Sequence, residues 1–197
     1  PLDAEAIVII EVDGHPAAVE EEAALCEAIC REHGASLVRA AATAEEQAQI
    51  WKARRLISPA IARLGPTKIS EDATVPRGRI PDMMKRLRQI REKYRLNLVV
   101  FGHAGDGNLH PNILTDRRNA EEMARVEKAI EEIFAAAIEL GGTLSGEHGI
   151  GLMKKPFMEM ELGKEGVDMM RKIKEAWDPH NIMNPGKIFP DRNEASR

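Results

Sequence analysis

The sequence predicts an α+β sandwich in which helices pack on one face of a largely antiparallel sheet. Two observations predict this class. Apolar β-branched segments alternate with segments of helical spacing along the 197 residues. The Gly-rich segment GHAGDGN, residues 102–108, separates two apolar segments by a tight turn, which implies antiparallel pairing and disfavours a doubly wound parallel fold. We expect a single domain, because the chain is long enough to bury a core without disulfides.

The N-terminal part of the chain predicts a strand, a helix and a second strand. Residues 6–14, AIVIIEVDG, are β-branched and apolar and end at an Asp-Gly turn. Helical spacing follows from residue 15 and stops at Gly34. The next segment, SLVRAA at residues 36–41, suits a short strand.

A long helix and a central strand are predicted next. Thr43 and Glu46 form a capping-box pattern at the start of a helix that runs to residue 65. Residues 66–76 alternate in polarity as a strand does. A proline in the first turn supports a helix over residues 80–94.

The C-terminal half predicts a hairpin, two helices and a tail. Residues 97–103 and 108–114 suit the two arms of the hairpin. A helix over residues 119–139 begins at an asparagine cap and is closed by two glycines. A last helix, around residues 164–177, precedes a Pro- and Gly-rich tail at 178–190 that should lie extended on the surface.

The composition is that of an ordinary soluble globular protein, with 30% charged and 43% hydrophobic residues. A net charge of -4 provides no basic surface for nucleic acid, and the basic residues within 77–95 suit a solvated helix face. No apolar run is long enough to cross a bilayer and no segment resembles a signal peptide, so we expect a cytoplasmic protein without direct membrane insertion. Cys26 and Cys30 lie four apart and favour a buried helix stripe over a metal or redox pair.

The first residues, PLDAEAIVII, contain no methionine and enter a predicted strand almost at once. We therefore expect the chain to be part of a longer protein. Its function would then depend on sequence outside these residues.

Two histidines flank the predicted hairpin turn in GHAGDGNLHPN. If the arms pair, His103 and His110 lie at neighbouring positions near the closed end, and Gly105 and Gly107 permit the tight backbone. Imidazole nitrogens suit zinc, iron and similar ions, so the pair could provide half of a metal site. Loop polarity or turn capping would explain two histidines as well, and both interpretations stay open.

A second glycine-flanked cluster, GGTLSGEHGIG at residues 141–151, contains Glu147 and His148. Glu147 could complete a His-His-Glu set that leaves a coordination position open for substrate. His148 would then lie beside the bound substrate, where its titration range suits a general base. The alternative is that both are exposed turn residues. Three of the six histidines in two Gly-rich loops favour a site.

A third region, residues 51–72, contains candidate groups for binding a carboxylate. Arg54 and Ser58 share one face of a predicted helix, and Lys68 lies at the start of the following strand. A guanidinium, a hydroxyl and an ammonium directed at one place would bind a carboxylate well. By itself the spacing is common in amphipathic helices and favours a solvated face.

Three motifs, FGHAGDGNLHPNI, GTLSGEHGIGLMKKPFM and AWDPHNIMNPGKIFP, together resemble the C-terminal domain of FAD-linked oxidases. The similar enzymes are the group of glycolate oxidase, D-lactate dehydrogenase and D-2-hydroxyglutarate dehydrogenase, in the vanillyl-alcohol oxidase superfamily. The motifs occur in the family order, and the resemblance covers essentially residues 1–197. It implies a ferredoxin-like cap domain over the substrate, with FAD bound by a separate N-terminal domain that this chain lacks.

The resemblance also implies roles for individual residues. His103, His110 and Glu147 would hold a divalent metal, zinc in some members and iron or manganese in others, that polarises the 2-hydroxyl of a D-2-hydroxy acid. His148 would take the hydroxyl proton as the C2 hydride passes to the flavin. The remaining positions that match the family are Arg54, Ser58 and Lys68 on the substrate carboxylate, Asn112 beside substrate and flavin, and Asn184 and Lys187 in a tail that returns toward the FAD domain.

The resemblance therefore implies the cap of an FAD-dependent dehydrogenase that oxidises a D-2-hydroxy acid, of glycolate or D-lactate type, to the 2-oxo acid. Its partners would be the small substrate, the N-terminal FAD domain and electron-transfer subunits. Because the chain has no Gly-rich dinucleotide loop, we expect no turnover from it alone. Two alternatives are a stand-alone metal-dependent hydrolase that uses the same His-His-Glu site, and a ferredoxin-like interaction module whose site is vestigial.

Overall fold

The structure is a computed structural model that describes residues 4–190. The chain divides into two compact units, one up to Ala60 and the other from Ile61 onward. The single cap domain expected from the sequence stays a prediction, and each unit is described by itself.

The first unit is built on two helices, α1 (Pro16–Glu32) and α2 (Ala44–Ile61). The predicted cap of α2 is formed, because Thr43 Oγ1 accepts a hydrogen bond from the Glu46 backbone N–H at 3.2 Å. Glu46 Oε2 accepts in turn from the Ala42 N–H at 2.8 Å, one residue earlier than in a standard capping box.

The strands predicted at residues 6–14 and 36–41 are wrong, since the structure forms no strand in either segment. Ile7 and Val8 are 75% and 69% exposed, and Leu37 is 65% exposed. β-Branched composition supplies only a tendency toward extended backbone. A strand also needs a partner that pairs with it and buries one face.

The cysteines of α1 correct a second expectation from the sequence. Cys26 and Cys30 are half-buried, and both thiols are free. No residue of α1 is fully buried, so the pair lies on a partly covered face and not in a core.

Up to residue 190, the second unit contains four strands and three long helices. In chain order these are β1 (Thr67–Ser70), β2 (Ala73–Thr74), α3 (Ile80–Tyr94), β3 (Asn97–His103), β4 (Asn108–Thr115), α4 (Ala120–Glu139) and α5 (Met158–Trp177). The helix predicted at 164–177 is the second half of α5, because Gly163 interrupts that helix with a φ of 65°. The α+β class with an antiparallel sheet is confirmed.

Strand β4 is the centre of the sheet. It pairs antiparallel with β3 along one edge and with both β1 and β2 along the other. In this register Asn112 lies between Ser70 and Val99, and His110 lies opposite Phe101. All eight residues of β4 are buried, so both faces of the central strand are covered.

The two faces of β4 have different chemistry, because successive side chains of a strand point to opposite sides. Leu109 and Ile113 belong to the apolar core, which α3 and α4 cover. His110 and Asn112 therefore point to the other face. The core residues contributed by the two helices are Met83, Leu87, Ile90, Val126, Ala129, Ile130, Ile133, Phe134, Ala136 and Ala137.

None of the helices formed by residues 4–190 combines the length and the apolar character that crossing a bilayer requires.

Candidate metal centre and substrate site

The β3–β4 hairpin presents two imidazoles near its closed end, as the sequence predicts. His103 ends β3, and His110 lies on β4. Gly107 has a φ of 74°, and a Cβ at this position would collide with the Val75 carbonyl oxygen. The Val75 N–H donates to the Gly107 carbonyl at 3.0 Å. The turn thus packs directly on the residue after β2, and that contact requires glycine.

His103, His110 and Glu147 form a group that could hold a metal ion. Each offers a ligand atom, and these atoms all lie within 4.8 Å of one another. His110 Nε2 is 3.0 Å from Glu147 Oε1, and the rings of His103 and His110 meet edge to face with centroids 5.5 Å apart. Two imidazole nitrogens and one carboxylate oxygen form the type of ligand set that catalytic zinc sites use.

His110 is the most enclosed member of this group, with 5% of its surface exposed. Its Nδ1 atom is buried and has no hydrogen-bond partner in the described part of the chain. Burial lowers the pKa of His110 below its ordinary value, the nearby Glu147 carboxylate opposes this effect, and the neighbouring histidines His148 and His103 add to it. The imidazole is therefore neutral near neutral pH, which is the form that binds a metal.

His148 lies next to this group. Its ring stacks on His110, with centroids 5.2 Å apart and planes inclined by 16°. Its Nε2 atom is 3.9 Å from Glu147 Oε1, and its Nδ1 atom is 3.5 Å from Asp72 Oδ1. Because Nδ1 is the nitrogen nearer to a carboxylate, Nε2 is the better placed of the two to accept a proton.

A buried pair, Asp72 and Lys154, lies behind Glu147 and His148, and sequence reasoning missed it. Asp72 is fully buried, and Lys154 is 2% exposed. The Lys154 ammonium donates to Asp72 Oδ1, and to the Asp72 and Leu144 carbonyl oxygens at 3.0 and 2.7 Å. Burial by itself would raise the pKa of Asp72, but hydrogen bonds from the Glu147 backbone and from Lys154 lower it to about 2.

Position along the chain is the only signal that the sequence offers for this pair. Asp72 lies in the predicted strand at residues 66–76, and Lys154 lies three residues after the Gly-rich segment 141–151 that contains Glu147. Neither residue shows its burial in the sequence, because charged side chains are mostly exposed.

Asn112 and Lys68 share the histidine-bearing face of the sheet. Lys68 lies opposite Leu114 on β4. Every second residue of a strand points to the same face, so Leu114 shares its face with Asn112 and His110. Asn112 is fully buried and donates from Nδ2 to the His110 carbonyl at 2.7 Å. Its Oδ1 atom is buried and has no hydrogen-bond partner among residues 4–190. An acceptor is thus available on this face.

Arg54 and Ser58 lie in the first unit, on α2, whereas the metal-binding candidates lie in the second. Both side chains are half-buried and stand one helical turn apart, while Arg55 between them is exposed. The spacing alone favours a solvated position. That position fits the exposed Arg55 better than it fits Arg54 and Ser58.

Asn184 and Lys187 lie in the C-terminal tail of the second unit. Asn184 has a φ of 47°, and its carbonyl accepts from the Lys187 N–H at 3.3 Å. The next residue, Ile188, donates its N–H to the Gly151 carbonyl at 2.9 Å. The tail is thereby joined to the loop that follows His148.

The chain is similar in sequence to known proteins. Glycolate oxidase subunit GlcD of Bacillus subtilis is 53% identical over 189 residues, which cover 96% of this chain and 40% of that protein. D-lactate dehydrogenase of Archaeoglobus fulgidus is 36% identical over 170 residues, 85% of this chain and 37% of that protein. D-2-hydroxyglutarate dehydrogenase of Stutzerimonas stutzeri is 36% identical over 165 residues, 81% of this chain and 35% of that protein.

The chain spans about two fifths or less of the length of these relatives. Residues 1–188 match one family along nearly the whole chain. By this match the chain belongs to the family of FAD linked oxidases, C-terminal domain.

Proposed function

We propose that the chain is the substrate- and metal-binding cap of an FAD-dependent dehydrogenase that oxidises a D-2-hydroxy acid, of glycolate or D-lactate type, to the 2-oxo acid. One observation carries the proposal. In a member of the FAD linked oxidase family, the ligand atoms of His103, His110 and Glu147 converge within 4.8 Å, and His148 stacks on one of them. The names of the relatives supply the substrate class.

The residues present suit a divalent metal. His110 Nε2 faces Glu147 Oε1, and burial favours the neutral ring, which is the form that a ligand histidine needs. The half-exposed Glu147 would supply a carboxylate ligand, and a set of three protein ligands would leave a fourth coordination position for a substrate oxygen. We assign zinc as the first candidate, with iron or manganese as alternatives, because all three accept nitrogen and carboxylate ligands. When bound, such a metal polarises the substrate hydroxyl and lowers its pKa.

His148 takes the hydroxyl proton in this proposal. Its Nδ1 faces the Asp72 carboxylate, which stays ionised, so Nε2 carries the available lone pair. The same carboxylate stabilises the imidazolium that forms when Nε2 receives the proton.

The substrate carboxylate is assigned to Arg54, Ser58 and Lys68. The two half-buried groups of α2 provide a charged and a neutral donor one turn apart, and Lys68 provides an ammonium. Asn112, on the same sheet face as Lys68, offers Oδ1 as an acceptor beside the substrate.

FAD is assigned to another part of the longer protein, the N-terminal domain, with Asn184 and Lys187 of the tail directed toward it. When bound, the flavin accepts the electrons and the hydrogen removed from C2. The chain itself provides position and electrostatics, so it has no dehydrogenase turnover alone. The full enzyme passes its electrons to a partner, for which electron-transfer subunits are the candidates, and we place it in the cytoplasm.

Activity with and without the flavoprotein portion tests the proposal. The chain joined to its N-terminal FAD domain should bleach its flavin absorbance on addition of D-lactate or glycolate, and the chain alone should not reduce an acceptor dye. Turnover by the chain alone would overturn the assignment of FAD to another domain. The hydrolase would be favoured instead by two results together. These are hydrolysis of ester or amide substrates with added metal, and no bleaching of the flavin in the joined protein.

A further inference from the structure

Three successive residues of the loop that carries Glu147 and His148 bind one carboxylate with their backbone. Asp72 Oδ2 accepts hydrogen bonds from three successive backbone N–H groups, those of Gly146, Glu147 and His148, at 2.8, 2.7 and 3.0 Å. Three successive N–H groups directed at one anion form a backbone anion-binding site. Here the anion belongs to the protein itself.

The remaining contacts of Asp72 fix the carboxylate in turn. Lys154 donates to Oδ1 and also to the Asp72 and Leu144 carbonyls, so its ammonium has three acceptors. The Ser145 hydroxyl lies 3.4 Å from both carboxylate oxygens and accepts from the Gly149 N–H at 2.8 Å. Each charged group of the buried pair thus has an opposite charge beside it and further hydrogen-bond partners, as a buried ion pair requires.

The position of the loop is also limited from its other side. A Cβ at Gly146 would collide with Thr74 Oγ1 and lie 2.8 Å from Asn108 Oδ1. Asn108 is buried and lies opposite His103 in the sheet. The loop therefore cannot move closer to the hairpin, and Asp72 prevents it from moving away.

We propose that Asp72, held by Lys154, is the positioning residue of the metal centre: it sets the Glu147 carboxylate and the His148 ring against the two hairpin histidines. The proposal rests on the proposed metal site and adds a residue that is not itself a ligand. Groups that orient ligands from behind typically change metal affinity by about 10- to 100-fold when they are lost.

The test uses paired substitutions that separate positioning from stability. Asp72→Leu with Lys154→Met replaces the ion pair with apolar side chains of similar size, which is often neutral for folding. It removes the acceptor for the three N–H groups. Asp72→Asn with Lys154→Met keeps one acceptor oxygen and so provides the conservative comparison.

The matched control is a second buried aspartate of the same kind. Asp178 pairs with Lys174 and accepts from the Ile182 and Met183 N–H groups at 3.0 and 2.8 Å. Asp178→Leu with Lys174→Met removes a comparable pair. None of the hydrogen bonds named here involves a candidate metal ligand.

Zinc affinity is measured by calorimetric titration of the chain, and hydrogen exchange is measured at residues 146–148. We expect the Asp72→Leu, Lys154→Met variant to bind zinc about 10- to 100-fold more weakly and to exchange these amides faster. The Asp72→Asn, Lys154→Met variant should lie closer to the wild type, and the Asp178 control should match the wild type in both readouts. Thermal melts show whether each variant is folded.

Wild-type zinc affinity and wild-type amide protection in the Asp72→Leu, Lys154→Met variant would overturn the proposal. Equal weakening in the Asp178 control would overturn it too, because the effect would then be general loss of stability. If the wild-type chain binds no zinc, the proposed metal centre fails, and amide exchange alone decides the positioning role.

Discussion

His110 Nε2 lies 3.0 Å from Glu147 Oε1, although one side chain is almost completely buried and the other is about half exposed. The imidazole belongs to the central strand of the sheet, where neighbours fix its orientation. The carboxylate belongs to a loop whose backbone is bonded to Asp72. If these residues hold a metal ion, one ligand is fixed by the sheet and the other by a loop contact.

The first prediction concerns metal retention. His103→Ala or Glu147→Ala should abolish zinc retention, because each change removes one of three protein ligands. His148→Ala, the matched histidine in the same cluster, should retain the metal. Elemental analysis of the purified variants checks this, and equal metal loss from all three would contradict the division between ligands and base.

The second prediction concerns the rate of the full enzyme. His148→Ala should lower kcat by about 10²- to 10⁴-fold, the usual contribution of a general base, with little change in KM. Steady-state kinetics on the metal-loaded, flavin-containing protein measures both constants. A kcat close to that of the wild type would remove His148 from the proton transfer.

The third prediction concerns the substrate carboxylate. Arg54→Met should raise KM for the hydroxy acid by roughly 10- to 100-fold, because a hydrogen bond to a charged group contributes about 1.5 to 3 kcal/mol. Arg55→Met is the control, since Arg55 is exposed on the same helix while Arg54 is half-buried. If both variants behave alike, the assignment of Arg54 to the substrate is wrong.

The fourth prediction concerns the contact between the loop and the sheet. Gly146→Ala should weaken zinc binding and lower the melting temperature, because the added Cβ would collide with Thr74 Oγ1 and approach Asn108 Oδ1. Gly78→Ala is the control, since a Cβ there meets nothing within 4 Å. Calorimetry and thermal melts provide the two readouts. Equal behaviour of the two variants would mean that the loop does not pack as closely as this geometry requires.

The fifth prediction concerns the tail and its pH dependence. The hydrogen bond from Lys174 lowers the pKa of Asp178, burial opposes this effect, and the Met183 and Ile182 N–H groups lower the pKa further. A depressed folded-state pKa stabilises the fold above the unfolded value of about 3.9, and the stabilisation is lost as pH falls below it.

Asp178→Asn should accordingly lower the melting temperature at pH 7, and the difference from the wild type should shrink as the pH falls below about 4. Melts across a pH series measure this difference. A difference that does not vary with pH would show that the charge of Asp178 does not contribute.

Much of the second unit could be predicted from local pattern. The helix over residues 80–94 forms at its predicted bounds, and the helix predicted at 119–139 begins one residue later, after its asparagine cap. The hairpin forms because a Gly-rich turn separates two apolar segments, which is a short-range signal. The first unit was predicted less well, because the segments at 6–14 and 36–41 have strand composition but no pairing.

The sequence by itself determined the candidate ligands. They lie in a hairpin and a Gly-rich loop of a chain that matches one family over residues 1–188. Only the tertiary structure decided which groups meet. Glu147 comes within reach of the histidines because Asp72, from a different strand segment, binds the backbone of its loop. Local spacing carries no information about contacts between distant segments or about which charged residues are buried, and Asp72 and Lys154 are therefore visible only in the folded chain.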